Sequence, residues 1–403
     1  MTGRARPGSG TNQEAVRRHN LGTLLGHVHR EELISRADLT ARMGLNRSTI
    51  AALVAELEGL GVVRQEMPVG ERSSAGRPSI DVSPGERQVF VVAVELRVER
   101  VEVARVGLAG HVLARGGGAM PRSREPRAVA SVVASLVREM VDGAPDGAAL
   151  VGIGVGLPGV VSGAGVVGFA PNLRWTAVDL RRLLRDALGV DVAILMGNDA
   201  DLGVLSEHVR GAGVGCDDLI YLSADIGVGG GVVADGHTLR GFGGFAGEVG
   251  HMRTGSSGLV CRCGSRGCWE TEIGASAVAA AVECPDDDLA VVAERVRAMT
   301  EPNDAMVTVG RELGAGLASL VNVFNPEVVV LGGLLRDVYP LVRRVVARTL
   351  EEGALGDPAA QVRIVLPALG ADSVLLGAAE LAFGPLLEDP ASVLADTPVP
   401  HPV

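Results

Sequence analysis

The sequence contains no lysine; all 37 of its basic residues are arginine. Codon usage alone can produce that, so it assigns no function. Aromatic residues make up 2% of 403, so Val, Leu, Ala and Ile must supply the packing of any core. Cysteines number five. Residues 1 to 20 are polar and lack the apolar stretch of a secretory signal, so the expected location is cytoplasmic. There, clustered cysteines serve metals or catalysis more often than disulfides. No apolar run of eighteen or more residues suggests a membrane span, and no membrane partner is expected.

What is present describes a globular chain of two or three domains: 47% of residues are apolar, and 56 glycines imply many turns. Charge is uneven. Residues 1 to 85 carry eleven Arg against nine Asp or Glu, about +2, whereas the whole chain is −11, leaving about −13 for the remainder. A basic head on an acidic body can still bind nucleic acid, because the field at the contact surface is the one that matters.

A helical pattern over residues 14–29 places Val16, Leu21, Leu24, Leu25 and Val28 on an apolar face. In the segment SRADLTARMGLNRSTIAALVAELEGLGVVRQE, Ser35 can cap a short helix that Gly44 ends. Asn46 or Ser48 can cap the next helix, where Ile50, Leu53, Val54 and Leu57 recur at helical spacing and Arg47, Ser48, Thr49 and Ala52 face outward. Helix, glycine turn, helix and hairpin predict a winged helix-turn-helix, with any small helical subdomain as the plainer alternative. Arg47, Ser48 and Thr49 are of the type that reaches phosphates and base edges. Arg77, within Gly76-Arg77-Pro78, suits either a minor-groove arm or an ordinary linker.

After Ser83-Pro84-Gly85 three strands, a helix and then alternating strands and helices, arranged twice, predict a two-lobed α/β body with a ligand cleft. Within it, GHMRTGSSGLVCRCGSRGCWE holds His251, Cys261, Cys263 and Cys268. Four N and S donors at H-x9-C-x-C-x4-C suit tetrahedral zinc with no open position, hence structural; buried free thiols are the alternative. Gly255, Gly258, Gly264 and Gly267 let the loop wrap around an ion. Cys216 and Cys284 read as small hydrophobes. A metal there would also fix Glu248 and Glu270, which can accept hydrogen bonds from ligand hydroxyls. Asn198-Asp199 closes an apolar strand, a place for ligand binding or proton abstraction, and Asn172 can add an amide contact. The glycine turns at 224–233 and Gly332-Gly333 are weak phosphate candidates.

Together these residues resemble the ROK family (repressors, open reading frames and sugar kinases), most specifically in EVGH…CRCGSRGCWE from Glu248 to Glu270, and in order also LPGVV, Pro171-Asn172, GND at 197–199 and VVVLGG. The resemblance implies an N-terminal winged helix-turn-helix, residues 1–82 with a flexible leader and linker. It implies a two-lobed actin-like ATPase (sugar kinase-like) body at 83–388, lobe one about 88–198 plus 372–388 and lobe two about 199–371. Residues 389–403 are expected to be a flexible tail. The resemblance further implies a sugar site of Asn172, Asn198, Asp199, Glu248, His251 and Glu270. It assigns structural zinc to His251, Cys261, Cys263 and Cys268, so that His251 serves both sites. Asp199 is the family's catalytic base, but where the kinases carry a glycine-rich phosphate turn this chain reads Glu95-Leu96-Arg97, which denies phosphate the close backbone approach that glycine gives. The expectation is therefore a nucleoid-associated regulator that is not an enzyme. It would bind operator DNA and a monosaccharide or sugar-phosphate effector as a homodimer or homotetramer. An ATP-dependent sugar kinase with an appended DNA-binding head is the alternative.

Overall fold

The computed structural model describes residues 13–67, 79–85, 89–254, 258–285 and 288–396. The head comprises α1 (Gln13–Glu31), β1 (Ile34–Ser35), α2 (Arg36–Met43), α3 (Arg47–Gly59), β2 (Val63–Glu66) and β3 (Asp81–Pro84). Local chemistry sets its boundaries. Ser35 accepts a hydrogen bond from the Asp38 amide and so starts α2, Gly44 ends it at φ 64°, and Asn46 starts α3 by accepting from the Thr49 amide. The wing is a three-stranded sheet in the order β1-β3-β2, with β3 running through Pro84. Gly76, Arg77 and Pro78 lie outside the described residues, as does Gly255.

The first lobe contains β4 (Val89–Leu96), β5 (Arg100–Gly107), β6 (Val112–Ala119), α4 (Pro126–Asp142), β7 (Ala149–Leu157), β8 (Val160–Val161), β9 (Val166–Ala170), β10 (Trp175–Asp179), α5 (Leu180–Leu188) and β11 (Ile194–Asn198). Helix α6 (Asp199–Arg210) crosses to the second lobe, made of β12 (Leu219–Ala224), β13 (Val228–Ala234), β14 (His237–Thr238), α7 (Glu270–Ile273), α8 (Ala275–Ala281), α9 (Leu289–Ala298), α10 (Asp304–Phe324), β15 (Val328–Gly333), α11 (Leu335–Gly353), α12 (Gly356–Gln361) and β16 (Arg363–Val365). The sheets run β11-β7-β4-β5-β6 and β14-β13-β12-β15-β16. In both, the first strand of the lobe sits centrally, antiparallel to the second and parallel to the fourth-ranked strand beside it. This duplicated topology is the actin-like sugar-kinase arrangement.

The chain returns through α13 (Ser373–Glu388), which wedges between β7 and α6. A Cβ on Gly154 would stand 1.8 Å from the Ala378 carbonyl, and one on Gly377 would stand 1.9 Å from the Leu202 carbonyl, so only glycine allows this approach. Residues 370–388 are long and apolar enough to cross a membrane by composition, yet 56% of that segment is buried inside the protein. It is a core helix.

Three expectations change. The tail is not entirely frayed: α14 (Pro390–Asp396) follows α13, with the Asp389 carboxylate accepting from the Ser392 amide and Leu394 buried. The segment around Asn172 and Trp175, expected as a loop, is a tight turn in a three-stranded antiparallel sheet, β10-β9-β8. Lastly, head and body are not separate beads. Leu21, Leu24, Leu25 and Val28 of α1 belong to one continuous apolar core with Val91, Ala378, Ala382 and Phe383 of the body. Truncating any one of those leucines to alanine costs about 2–5 kcal/mol, so this junction is firmly docked.

Candidate functional site

The zinc loop is built outward from Trp269. Its side chain is wholly buried against α10: the indole N–H donates to the Glu312 carbonyl at 2.8 Å, and Gly316 leaves room for the ring. That anchor fixes Cys268 on one side and Glu270 on the other. Gly258, Gly264 and Gly267 adopt φ of 65°, 89° and 72°, turning the loop back on itself as the sequence suggested. Nδ1 of His251 and the thiols of Cys261, Cys263 and Cys268 all lie within 4.8 Å of one another. Tetrahedral zinc with Zn–S bonds of about 2.3 Å sets neighbouring sulfurs about 3.8 Å apart. Cys263 Sγ is 3.7 Å from Cys268 Sγ, and Cys261 Sγ is 3.8 Å from His251 Nδ1. The donor set and its spacing fit zinc. Outside this cluster, Cys216 is buried in a small apolar core and Cys284 is half-buried.

The other ring nitrogen of His251, Nε2, lies 3.8 Å from Glu248 Oε2. Glu270 Oε1 accepts from the Cys261 thiol at 3.4 Å and Oε2 from the Val228 amide at 3.1 Å. A Cβ on Gly227, in the turn between β12 and β13, would stand 2.8 Å from Glu270 Oε2 and 3.8 Å from Asn172 Nδ2. One on Gly229 would stand 3.8 Å from Asp199 Oδ1. Asn172, Asp199 and Glu270, drawn from both lobes and the crossing helix, thus gather around one glycine turn. Asn198 has a different position: its side chain caps α6 by accepting from the Ala200 amide at 2.8 Å, and its Nδ2 donates to the Gly159 carbonyl at 3.0 Å. It therefore aims Asp199.

Burial dominates the electrostatics. Asp199 is pushed up to about 7 by burial, reinforced by the Asp225 and Glu95 carboxyls and resisted by its bond from the Ala200 amide. Glu95 also rises to about 7, through burial that the Arg97 guanidinium only partly offsets. Glu248 rises for the same reason, with His251 opposing. Arg97 lies 2.8 Å from Glu95 Oε1 and 3.5 Å from Glu102 Oε1, and its field also reaches Asp225, just past the end of β12. The Glu95-Leu96-Arg97 stretch accordingly places an arginine beside two carboxyls of the first lobe, with its field acting on a third, Asp225, of the second. The glycine turns at 224–233 and Gly332-Gly333 flank Asp225, and a Cβ on Gly333 would stand 2.8 Å from its Oδ1.

Charged residues that sequence reasoning passed over complete the site. Asp201, in the first turn of α6, is raised to about 6 by burial, with Arg240 opposing and Glu248 reinforcing. Arg262, between two zinc-cluster cysteines, donates to Asn172 Oδ1 at 3.4 Å, joining the zinc loop to the first lobe. Asp225 had a weak signal, the Ala-Asp-Ile-Gly turn; Arg240 and Arg262 had none.

In the head, Arg47 and Ser48 are exposed at the start of α3. Thr49 is half-buried, and its hydroxyl donates to Asn46 Oδ1 at 3.0 Å, as Ser48 does at 2.7 Å. Arg77 lies outside the described residues.

A winged helix-turn-helix head on this two-lobed body defines the class: a transcriptional regulator built on a sugar-kinase scaffold. The sequence pattern of the ROK family matches residues 91–384, and the chain belongs to that family. It is 27% identical to the xylose repressor of Bacillus subtilis (strain 168), over 93% of this chain and 98% of the relative. A crystal structure of a ROK family transcriptional regulator, a homolog of the E. coli MLC protein, superposes with a TM-score of 0.73 at 23% identity, over 95% of this chain and 97% of that one. A ROK family glucokinase from Streptomyces griseus, in complex with glucose and AMPPNP, superposes with a TM-score of 0.61 at 26% identity. That match spans 99% of the kinase but 73% of this chain, whereas the repressor and the regulator match nearly all of it.

Proposed function

We propose that this protein represses genes of carbohydrate metabolism by binding operator DNA through its winged helix, under the control of a sugar held between the lobes. The observation that carries this reading is the head itself, docked on the body through one core and matched along its length by the repressor relative. In this reading Arg47 and Ser48 reach phosphates or base edges, Thr49 supports them through the cap, and Arg77 contacts the minor groove. A cytoplasmic homodimer or homotetramer would present two heads to half-sites in successive major grooves.

In the body, Asp199, Glu248 and Glu270 would accept hydrogen bonds from sugar hydroxyls, Asn172 would add its amide, Asn198 would aim Asp199, and His251 Nε2 would face the sugar. Zinc on His251, Cys261, Cys263 and Cys268 would supply a rigid cross-link and no open position. Cross-linking the loop holds Glu248 and Glu270 in register with Asp199. The charges that raise Asp199 are the Asp225, Glu95 and Asp201 carboxyls, so the ligand end that meets it would be an uncharged hydroxyl. An unphosphorylated sugar is therefore favoured over its phosphate ester.

One observation favours the enzyme reading: a half-buried carboxyl pushed up to about 7 is suited to general-base work. Against it stands Arg97, which puts a guanidinium and no glycine at the phosphate turn. Calorimetry with D-xylose, D-glucose and other monosaccharides on zinc-loaded protein, run beside an ADP-release assay with MgATP, decides the matter. Binding without turnover supports the sensor; turnover abolished by Asp199→Asn makes the protein a kinase with a DNA-binding head.

A further inference from the structure

Helix α6 carries a proposed sugar residue at one end and a head contact at the other. Its first turn holds Asp199 beside the glycine turn of the site, and its last residue, Arg210, reaches the DNA-binding head about 18 Å away. There, three elements converge on one buried carboxylate. Arg210 Nε donates to Glu380 Oε1 at 2.5 Å, and His29 Nε2, from the last turn of α1, lies 3.0 Å from Glu380 Oε2. His29 is 1% exposed and packs at a tilt of 56° against the ring of Phe383 of α13, ring centres 4.8 Å apart.

The same pair grips the backbone of a single residue of the body on both sides of its Cα. The Ala109 amide donates to His29 Nδ1 at 3.2 Å, and the Ala109 carbonyl accepts from Arg210 Nη1 at 2.9 Å. Ala109 sits at φ 63°, a left-handed conformation that a residue with a side chain adopts only when its surroundings hold it there. His29 Nε2 faces both Glu380 Oε2 at 3.0 Å and Arg210 Nη2 at 2.6 Å, so the histidine touches α6 directly as well as through the carboxylate. In the last turn of α6, wholly buried Glu207 accepts from the Ala368 and Leu369 amides, both at 3.1 Å, and from the Ser373 hydroxyl at 2.7 Å. The helix is thereby tied to the start of α13, which holds Glu380.

We propose that α6 is a rigid lever between the sugar site and the DNA-binding head, and that the His29–Glu380–Arg210 cluster is the joint that passes its movement to α1. The proposal rests on the reading that a sugar binds beside Asp199. A ligand that shifts the first turn of α6 loads the clamp in its last turn and Arg210 beside it, because the two ends belong to one uninterrupted 12-residue helix. Arg210 in turn is bonded to the carboxylate that orients His29. Breaking the joint should leave both binding sites intact and remove the communication between them.

The test uses full-length, zinc-loaded protein and operator DNA selected from a random pool. Operator affinity is measured with and without saturating D-xylose or D-glucose, for wild type, His29→Gln and Arg210→Gln. Wild type should show a ratio within about 5–150-fold, the usual range of coupling between sites. The variants should keep sugar affinity within about twofold while the ratio falls toward one. A folded variant with the wild-type ratio overturns the lever. Should both variants fail to fold, hydrogen exchange on wild type takes their place: sugar must alter exchange at Ala109 and the last turn of α1, and unchanged exchange there overturns the proposal. If wild-type DNA binding answers to no monosaccharide, the sugar-sensor reading falls, and the lever with it.

Discussion

The substitution Asp199→Asn has an effect on stability that can be worked out from the site. Asp199 is half-buried, and loss of solvent pushes its carboxyl up to about 7 in the folded protein from an ordinary value of 3.8. A carboxyl whose pKa is raised by folding keeps its proton in the folded state across that interval while the unfolded chain has lost it. The folded state therefore binds more protons, and stability falls as pH climbs from about 4 to about 7, with the full cost in place above 7. A difference of roughly three pH units corresponds to about 4 kcal/mol at most. Asparagine is close in shape to protonated aspartic acid, and its amide oxygen can keep the 2.8 Å bond from the Ala200 amide. Asp199→Asn should thus stabilise the protein by about 1–4 kcal/mol at pH 8.5 and change little at pH 4.5. Urea unfolding at both pH values, without sugar and with the same zinc supply, reads this directly. Zinc release at low pH weakens both proteins alike and drops out of the difference. No gain at pH 8.5, or an equal gain at both pH values, would refute the electrostatic reasoning.

Other expectations are simpler to read. Cys263→Ser should lower the zinc content to well below one per chain and weaken sugar binding through Glu248 and Glu270; an unchanged metal ratio by mass spectrometry would remove Cys263 from the ligand set. Arg47→Ala should weaken operator binding about tenfold or more while sugar affinity, by calorimetry, stays as it was. Untouched operator affinity would mean that α3 does not enter the groove. Arg97→Ala leaves Glu95 without its nearest cation, so the Glu95 carboxyl should rise further above 7. The melting temperature should then fall more at pH 8 than at pH 6, and an equal fall at both would reduce Arg97 to a packing role.

The parts of this structure that were legible in the sequence are those encoded over a few residues. Ser35, Gly44 and Asn46 act where their side chains or backbone freedom act, within three positions, so the head could be laid out from its caps. The His251–Cys268 cluster is equally local, since its ligands need only one loop to meet. What escaped depends on distant segments meeting. Arg262 touches Asn172 across 90 positions, and His29 meets Glu380 across 351. No periodicity carries such information. The shared core of head and body escaped for a related reason: the apolar face of α1 announces that it is covered, but not by what. The short strands β8 to β10 mix exposed Phe169 with buried Val167 and Ala170 and carry a glycine between them, so they offer too weak an alternation to be read as a sheet. α14 was lost inside a proline-rich ending even though Asp389-Pro390 is a start signal for a helix.

The most direct test of the whole account is the anisotropy of a labelled operator duplex bound to zinc-loaded protein, followed while D-xylose, D-glucose or another monosaccharide is added. At least one unphosphorylated sugar should change operator affinity about fivefold or more, its phosphate ester should do so more weakly, and Asp199→Asn should abolish the response. A protein that binds no DNA, or whose DNA binding ignores every sugar while MgATP is turned over, would contradict the sugar-sensor reading.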